Sequence, residues 1–356
     1  MELIVQTGND YPIYFRPSYA DLREIFKKKG FLDRKICIVT DSNVAPLYLS
    51  EVKIALGEIP SFIFEAGEGQ KHMGTLQKMY TCFLENKLDR RSIIVALGGG
   101  VTGDLAGFAA ATFMRGVDFV QLPTSLLAQV DASVGGKTAI DFENIKNLVG
   151  AFHQPKLVYI NLSTLNTLPK QEFISGMGEV VKHGLIGDKA YYQFLRDHCQ
   201  AIQDMDADVI LQVIAGSCQI KAAIVAQDEK ENGLREILNF GHCVGHAVES
   251  LSKYALPHGQ CVSIGMYTAL QLSVELGNIT QDEMNHAISL MKAFDLPMTT
   301  TDYKSEEILA AMYKDKKTIN DTLRVVLLKK IGEAYTNSTL SSESILKSLK
   351  KRIGVK

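Results

Sequence analysis

Residues 91–113 read RSIIVALGGGVTGDLAGFAAATF. An apolar run rich in isoleucine and valine, RSIIVAL, ends directly in Gly98-Gly99-Gly100-Val101-Thr102-Gly103-Asp104, and small helix-compatible residues follow. Strand, glycine turn and helix N-terminus in that order make a phosphate cradle, because the amides of the first helical turn and about half a positive charge face the ligand. Gly98, Gly100 and Gly103 satisfy G-x-G-x-x-G. The match departs from the usual dinucleotide fingerprint: the turn comes late in its α/β region, and no obvious acid ends the next strand. An earlier turn, Thr40-Asp41-Ser42-Asn43 after KICIVT, carries the carboxylate and amide that a ribose needs. A pocket assembled from several strand ends is therefore expected, although by itself that turn reads as an ordinary helix cap.

Outward from this stretch, β-rich runs alternate with helical segments up to about residue 165: residues 35–40, 61–66, 91–97, 118–123 and 156–162. Such βα alternation argues for a largely parallel sheet flanked by helices. Beyond Pro169 the period changes. Thr167 is expected to cap a helix with Pro169 in its first turn, and helical segments follow at 170–185, 206–228, 240–252, 259–276 and 281–294. One late run at 323–329 reads as a strand or buried connector, and the basic tail LKSLKKRIGVK reads as a solvated helix. The fold class is thus α/β followed by a mostly α-helical part.

The 356 residues carry 38 basic and 40 acidic side chains, a net charge of −2 spread along the chain, and 46% are hydrophobic. That balance gives no global attraction to nucleic acid or to an anionic membrane, so an anion must be bound by a local cluster. The N-terminal MELIVQTGNDYPIYF has no charged region leading into an apolar one, which points to a cytoplasmic protein. Six cysteines without a C-x-x-C fit reduced, buried thiols.

Gly135-Gly136-Lys137-Thr138 invites a P-loop reading, but G-x-x-x-x-G-K-[ST] needs glycine where Asp131 stands. Leu238 to His246 puts His242 and His246 four residues apart on one helical face, with His258 twelve residues after His246. Imidazoles so spaced, with a carboxylate from elsewhere, suit Zn²⁺ or a similar ion, whereas H-E-x-x-H is absent. Glu179 offers such a carboxylate; one turn from Lys182, it reads alternatively as half of a surface ion pair. Between 206 and 228, positions 210, 214, 217, 221 and 225 share a face and read Ile, Ile, Ser, Lys, Val. A lysine in that stripe costs several kcal/mol, on the order expected for a buried charge, unless it meets an anion or reaches solvent. With Arg115, Lys137, Lys146, Lys182, Arg235 and Lys316, the chain holds more positive charge near its glycine loops and histidines than one cofactor needs. The implied substrate is a polyanion with phosphate and carboxylate groups.

These motifs in this order resemble the 3-dehydroquinate synthases: GGGVTGDLAGFAA, MRG, QLPTSLLAQVDASVGGKTAID, N-x-K-N-L-V-G-A-F, GMGEVVKHG, R-x-x-LNFGH-x-x-GHA-x-E, PHG and DKK, over about residues 35–320. The resemblance implies a homodimer whose subunits have a Rossmann-like NAD-binding α/β domain, here 1–167, and an α-helical metal- and substrate-binding domain, here 168–356, with the active site between them. It implies conversion of 3-deoxy-D-arabino-heptulosonate 7-phosphate to 3-dehydroquinate and phosphate in the shikimate pathway. The implied course is transient oxidation by NAD, phosphate elimination, re-reduction, ring opening and intramolecular aldol closure.

Carried over by motif, Glu179, His242 and His258 are the expected ligands of a divalent metal, zinc or cobalt. His246 is then not a ligand but helps to hold the substrate phosphate with Lys137, Asn147 and Lys316. Arg115 is expected to reach the phosphate in the neighbouring subunit. Lys221 and Arg235 match carboxylate binders, and Asp131, Lys146, Lys182 and Asn239 match residues that contact hydroxyls or order the site. Asp41, Asn43, Glu68, Lys71, Gly99, Gly100, Val101, Asp104, Thr124, Ser125 and Leu127 match NAD contacts. Gln260 departs from the acid common after the histidine–glycine pair, which bears on how the metal is tuned and not on ligation. Related readings are a 2-deoxy-scyllo-inosose or valiolone-type cyclase, whose substrates lack the carboxylate, a metal- and NAD-dependent polyol dehydrogenase, and a non-catalytic NAD-binding protein.

Overall fold

The computed structural model describes residues 1–143, 145–253, 255–314 and 323–351. The chain divides into two compact units, Met1–Leu168 and Pro169–Lys356.

The first unit is built on a seven-stranded sheet. Its strands are β1 (Glu2–Val5), β2 (Tyr11–Arg16), β3 (Ile36–Asp41), β4 (Ser61–Phe64), β5 (Ile93–Gly98), β6 (Asp118–Pro123) and, after a separate hairpin of β7 (Lys137–Phe142) and β8 (Ile145–Phe152), β9 (Val158–Asn161). The spatial order is β1-β2-β9-β6-β5-β3-β4, and every pairing except β1–β2 is parallel. Alternate residues feed opposite faces, as the two-residue period of a strand requires. Ile36, Ile38, Val95 and Leu97 pack into one core with Leu22, Phe26 and Tyr159. Cys37, Val39, Ile94 and Ala96 pack into the other with Met79, Phe83 and Ala106. Both faces are covered, which is why the strands read as continuous apolar runs and not as alternating ones. The chain passes from β3 outward to β4 and then back across to β5 and β6, so the connections reverse between β3 and β5. In open α/β sheets the crevice at such a switch point receives ligands.

The second unit is helical. Its principal helices are Lys170–Gly187, Ala207–Gln227, His242–Leu251, His258–Glu275, Gln281–Ala293, Ser305–Lys314 and Ser342–Lys350. Thr167 does not cap the first of them. It ends the 3₁₀ turn Leu162–Thr167, Pro169 takes the N-cap position, and the Thr167 hydroxyl bonds to Tyr48 and to the Thr164 carbonyl instead. The 323–329 run is a strand, β10 (Val325–Lys330), in an antiparallel hairpin with β11 (Glu333–Asn337). The basic tail is not wholly solvated, because Ile345 and Leu349 of its helix are buried. Ala207–Gln227 is long and apolar enough to cross a membrane, but most of it is buried within the protein. No cysteine is in a disulfide; Cys37, Cys218 and Cys261 are buried and the other three partly exposed.

Candidate active site

In the first unit, parallel pairing brings the carboxyl ends of β3, β5 and β6 to one edge. Asp41 ends β3, and its Oδ1 accepts the amides of Asn43 at 3.0 Å and Val44 at 3.1 Å; this closes an Asx-type turn and not the expected helix cap, because the helical turn Ala45–Leu49 that follows has Val44 at its N-cap and no side-chain cap bond. Its Oδ2 accepts the Thr102 hydroxyl at 2.9 Å, which ties the turn to the glycine-rich helix start at the switch point. Gly99 takes the N-cap position of the helix Gly100–Thr112, its carbonyl accepting the Gly103 amide at 3.0 Å. A Cβ on Gly98 would lie 2.4 Å from Thr102 Oγ1, so any side chain there would displace the hydroxyl that reaches Asp41. After β6 the Thr124 amide donates to the Gly98 carbonyl at 3.0 Å, and Ser125 Oγ accepts the Ala128 amide at 3.3 Å. Asp41, Asn43, Gly99, Gly100, Val101, Thr124, Ser125 and Leu127 therefore lie at the strand ends, turns and helix starts along one edge of one sheet.

Asp104, one turn into the same helix, faces a buried charge network. Lys71, 3% exposed, places its ammonium 2.6 Å from Asp104 Oδ2 and 3.8 Å from Glu68 Oε1, and donates to Asn147 Oδ1. Lys146 lies 3.3 Å from Glu68 Oε1. Backbone bonds secure the same junction: the Asp141 amide donates to the Lys71 carbonyl at 2.7 Å, and the Asn147 amide to Asp141 Oδ1 at 2.7 Å. Burial pushes the Asp104 and Asp141 carboxyls above the usual range despite the nearby ammonium. Burial pulls the Lys71 ammonium down, but the Asp104 and Glu68 carboxylates outweigh it and hold the pKa above its ordinary value. Thus Glu68, Lys71 and Asp104 adjoin Lys146 and Asn147 of the β7–β8 hairpin. Asn147 holds a left-handed φ of 52° inside that hairpin. Lys137 is exposed at the first residue of β7, and Asp131 is partly exposed in the turn Ala128–Ala132. Arg115 is exposed with a φ of 69° and makes no hydrogen bond or ion pair among the described residues.

In the second unit, glycines let three helices meet backbone to backbone. A Cβ on Gly259 would lie 1.8 Å from the Ser175 carbonyl oxygen, and one on Gly178 would lie 2.5 Å from the Gly259 oxygen. Ser175 Oγ accepts the Gly259 amide at 3.0 Å. Gly178 precedes Glu179 and Gly259 follows His258, so this contact delivers the two side chains to each other. Glu179 is fully buried and paired with Lys182, itself 1% exposed, so the pair is a core feature and not the surface pair that spacing allows. Glu179 Oε1 stands 3.7 Å from His242 Nε2 and 3.8 Å from His258 Nε2. Lys182 meets Oε2, while Oε1 accepts no hydrogen bond among the described residues, which is costly for a buried carboxylate oxygen unless a second cation meets it. Ligand atoms of His242, His246 and His258 lie within 4.8 Å of one another. One carboxylate oxygen and imidazole nitrogens so placed are the donor set of Zn²⁺ or Co²⁺.

The apolar stripe on Ala207–Gln227 is buried at all five positions, with Lys221 6% exposed. Arg235 is 1% exposed and bonds to the Glu229 carbonyl. Asn239 donates to Glu231 Oε1 at 2.9 Å. Gln260 donates to Gln171 Oε1 at 2.6 Å. Lys316 lies outside the described residues.

The sequence reading does not mark several participants, among them Thr102, Asp141, Ser175, Glu231 and Glu249. Glu249 was the most accessible, seven residues after His242 and therefore on the same helical face. Its carboxylate lies 3.3 Å from His258 Nδ1.

Comparison with known proteins identifies the family of the chain. Residues 61–175 match the family model described as 3-dehydroquinate synthase N-terminal, and 176–318 match 3-dehydroquinate synthase C-terminal. The chain is 44% identical over 346 residues to the 3-dehydroquinate synthase of Thermoanaerobacter pseudethanolicus, covering 96% of this chain and 97% of that protein. Among solved structures it is similar to a 2-epi-5-epi-valiolone synthase from Streptomyces hygroscopicus with NAD⁺ and Zn²⁺ bound, at a TM-score of 0.87 and 26% identity over 96% of both chains. It also shares the fold of a 2-deoxy-scyllo-inosose synthase, at a TM-score of 0.89 and 22% identity over 99% of this chain and 100% of that one. The near-complete coverage by close relatives places the chain in the 3-dehydroquinate synthase family.

Proposed function

We propose that the chain is an enzyme converting 3-deoxy-D-arabino-heptulosonate 7-phosphate to 3-dehydroquinate and phosphate. The observation that carries this reading is the 44% identity to a 3-dehydroquinate synthase over 96% of the chain. Two buried cations support it over the structurally similar cyclases. Lys221 and Arg235 suit a carboxylate, which a guanidinium recognises through paired hydrogen bonds.

Asp41, Asn43, Glu68, Lys71, Gly99, Gly100, Val101, Asp104, Thr124, Ser125 and Leu127 hold NAD in the first unit, and the switch point of its parallel sheet supports reading that unit as the cofactor domain. Glu179, His242 and His258 hold a divalent ion in the second, which is the metal and substrate domain. When bound, NAD and the ion supply a hydride acceptor and a Lewis acid. The protein orients substrate and neutralises its charge. Lys137, Asn147, His246 and Lys316 hold the phosphate, and Asp131, Lys146, Lys182 and Asn239 order the hydroxyls. The enzyme acts as a homodimer in the cytoplasm, with Arg115 serving the phosphate bound by the partner.

Incubation with NAD, Zn²⁺ or Co²⁺ and the heptulosonate phosphate should release phosphate with no net NADH in steady turnover. Stoichiometric NADH would favour a polyol dehydrogenase. Phosphate release from glucose 6-phosphate or sedoheptulose 7-phosphate instead would favour the other cyclases. Absence of any turnover, with NAD still bound, would favour a non-catalytic role.

A further inference from the structure

We infer that Glu249 is a positioning residue that fixes His258 in the tautomer protonated at Nδ1, so that Nε2 is the atom offered to a metal. The inference rests on reading Glu179, His242 and His258 as the metal site.

Three observations lead there. First, Glu249 is 4% exposed, and a carboxylate so buried needs a donor or a cation beside it. Its Oε2 lies 3.3 Å from His258 Nδ1, while His258 Nε2, on the other side of the ring, is the atom that faces Glu179 Oε1 at 3.8 Å. The two nitrogens of one imidazole thus look toward two carboxylates, one on each side. Second, His242, His246 and Glu249 stand at i, i+4 and i+7 of one helix, so a single face carries both an expected ligand and the support of another ligand on the next helix. Third, the neighbouring polar side chain Gln260 is turned away to Gln171 Oε1 at 2.6 Å, and the carboxylate set against His258 Nδ1 is that of Glu249.

The physical consequence follows from the two ring nitrogens. A neutral imidazole carries one proton; an acceptor held at Nδ1 keeps it there and leaves the Nε2 lone pair available. The negative charge behind the ring also strengthens Nε2 as a donor, and loss of such a partner costs about 10–100-fold in metal affinity.

The test is Zn²⁺ affinity by chelator competition, with the Co²⁺ absorption spectrum as a second readout, for Glu249→Gln, Glu249→Leu and His258→Ala. Gln keeps the volume but removes the charge. It should weaken Zn²⁺ binding about 10-fold and alter the Co²⁺ spectrum, with the melting curve of the metal-free protein unchanged, whereas Leu should approach 100-fold. Glu249→Gln within twofold of the parent, alongside loss of metal in His258→Ala, would overturn the inference and leave the metal site standing. If Leu loses both metal and fold while Gln binds normally, Glu249 is a packing residue and the inference also fails. Retention of stoichiometric metal by His258→Ala would instead sink the underlying ligand assignment.

Discussion

Replacing Lys71 by Met removes a cation held between three partners without changing the length of the side chain much. In the parent, the ammonium lies 2.6 Å from Asp104 and 3.8 Å from Glu68 and bonds to Asn147. Breaking a buried pair by deleting one partner costs about 3–5 kcal/mol. The Asp104 side chain is 20% exposed, so the lower end applies: about 3 kcal/mol, or a fall of about 6–12 °C in the melting of a unit this size. The cost should depend on pH. Burial already raises the Asp104 carboxyl, and loss of Lys71 raises it further. A carboxyl with a raised folded-state pKa favours the fold below its unfolded value, and that contribution is lost as pH rises through the folded value. Lys71→Met should therefore lie closest to the parent in acid, where Asp104 takes up a proton, and fall furthest behind as the carboxylate ionises. Adding Asp104→Asn should recover most of the loss at pH 8. The assay is thermal melting of the parent, both single variants and the double variant at pH 5 and pH 8, with NAD affinity measured in parallel. An equal deficit at both pH values, or no recovery in the double variant, would refute the claim that Lys71 acts as the counter-charge of Asp104.

Gly259→Ala places a Cβ 1.8 Å from the Ser175 carbonyl, so the helices must separate; a loss of at least about 1–3 kcal/mol and weaker Zn²⁺ binding are expected by melting and chelator competition. His242→Ala and Glu179→Gln should each lose metal while circular dichroism keeps the helical signal, and normal metal content in both would show that the ligands lie elsewhere. Lys221→Met should leave NAD affinity unchanged and weaken a carboxylate-bearing inhibitor about 10–100-fold, the worth of a charged hydrogen bond; equal affinity would remove its carboxylate role. Raising the pH above about 10.5 should destabilise the first unit in the parent but far less in Lys71→Met, because the stability linked to a raised lysine pKa is lost as that lysine deprotonates.

Much of this architecture is readable without coordinates because its strands and helices differ in period. KICIVT and RSIIVAL could be assigned since both faces of β3 and β5 are buried, which makes each strand a continuous apolar run. The β7–β8 hairpin was not legible: its residues, from Lys137 to Phe152, mix glycine, charge and apolar groups around a left-handed Asn147. Lys221 was visible because a lysine broke an apolar stripe. Glu179 was ambiguous, since a Glu–Lys pair at i, i+3 has the same spacing on a surface as in a core. Only packing decides it, and that packing comes from glycines whose contacts lie some eighty residues away in sequence, as between Gly178 and Gly259. Glu249 failed for a related reason: the residue that gives it meaning, His258, sits on another helix.

The Gly178–Gly259 junction also bears on how the ion is acquired. The main chains touch there through van der Waals contact and the Ser175–Gly259 hydrogen bond, with no ionic bridge needed to draw the helices together. The scaffold that presents Glu179 and His258 thus rests on contacts of the chain itself, so the metal-free protein is expected to keep its helical signal, at a lower melting temperature because Glu179 Oε1 is then buried bare. Withdrawal of the ion should leave a reservoir of intact, reloadable protein.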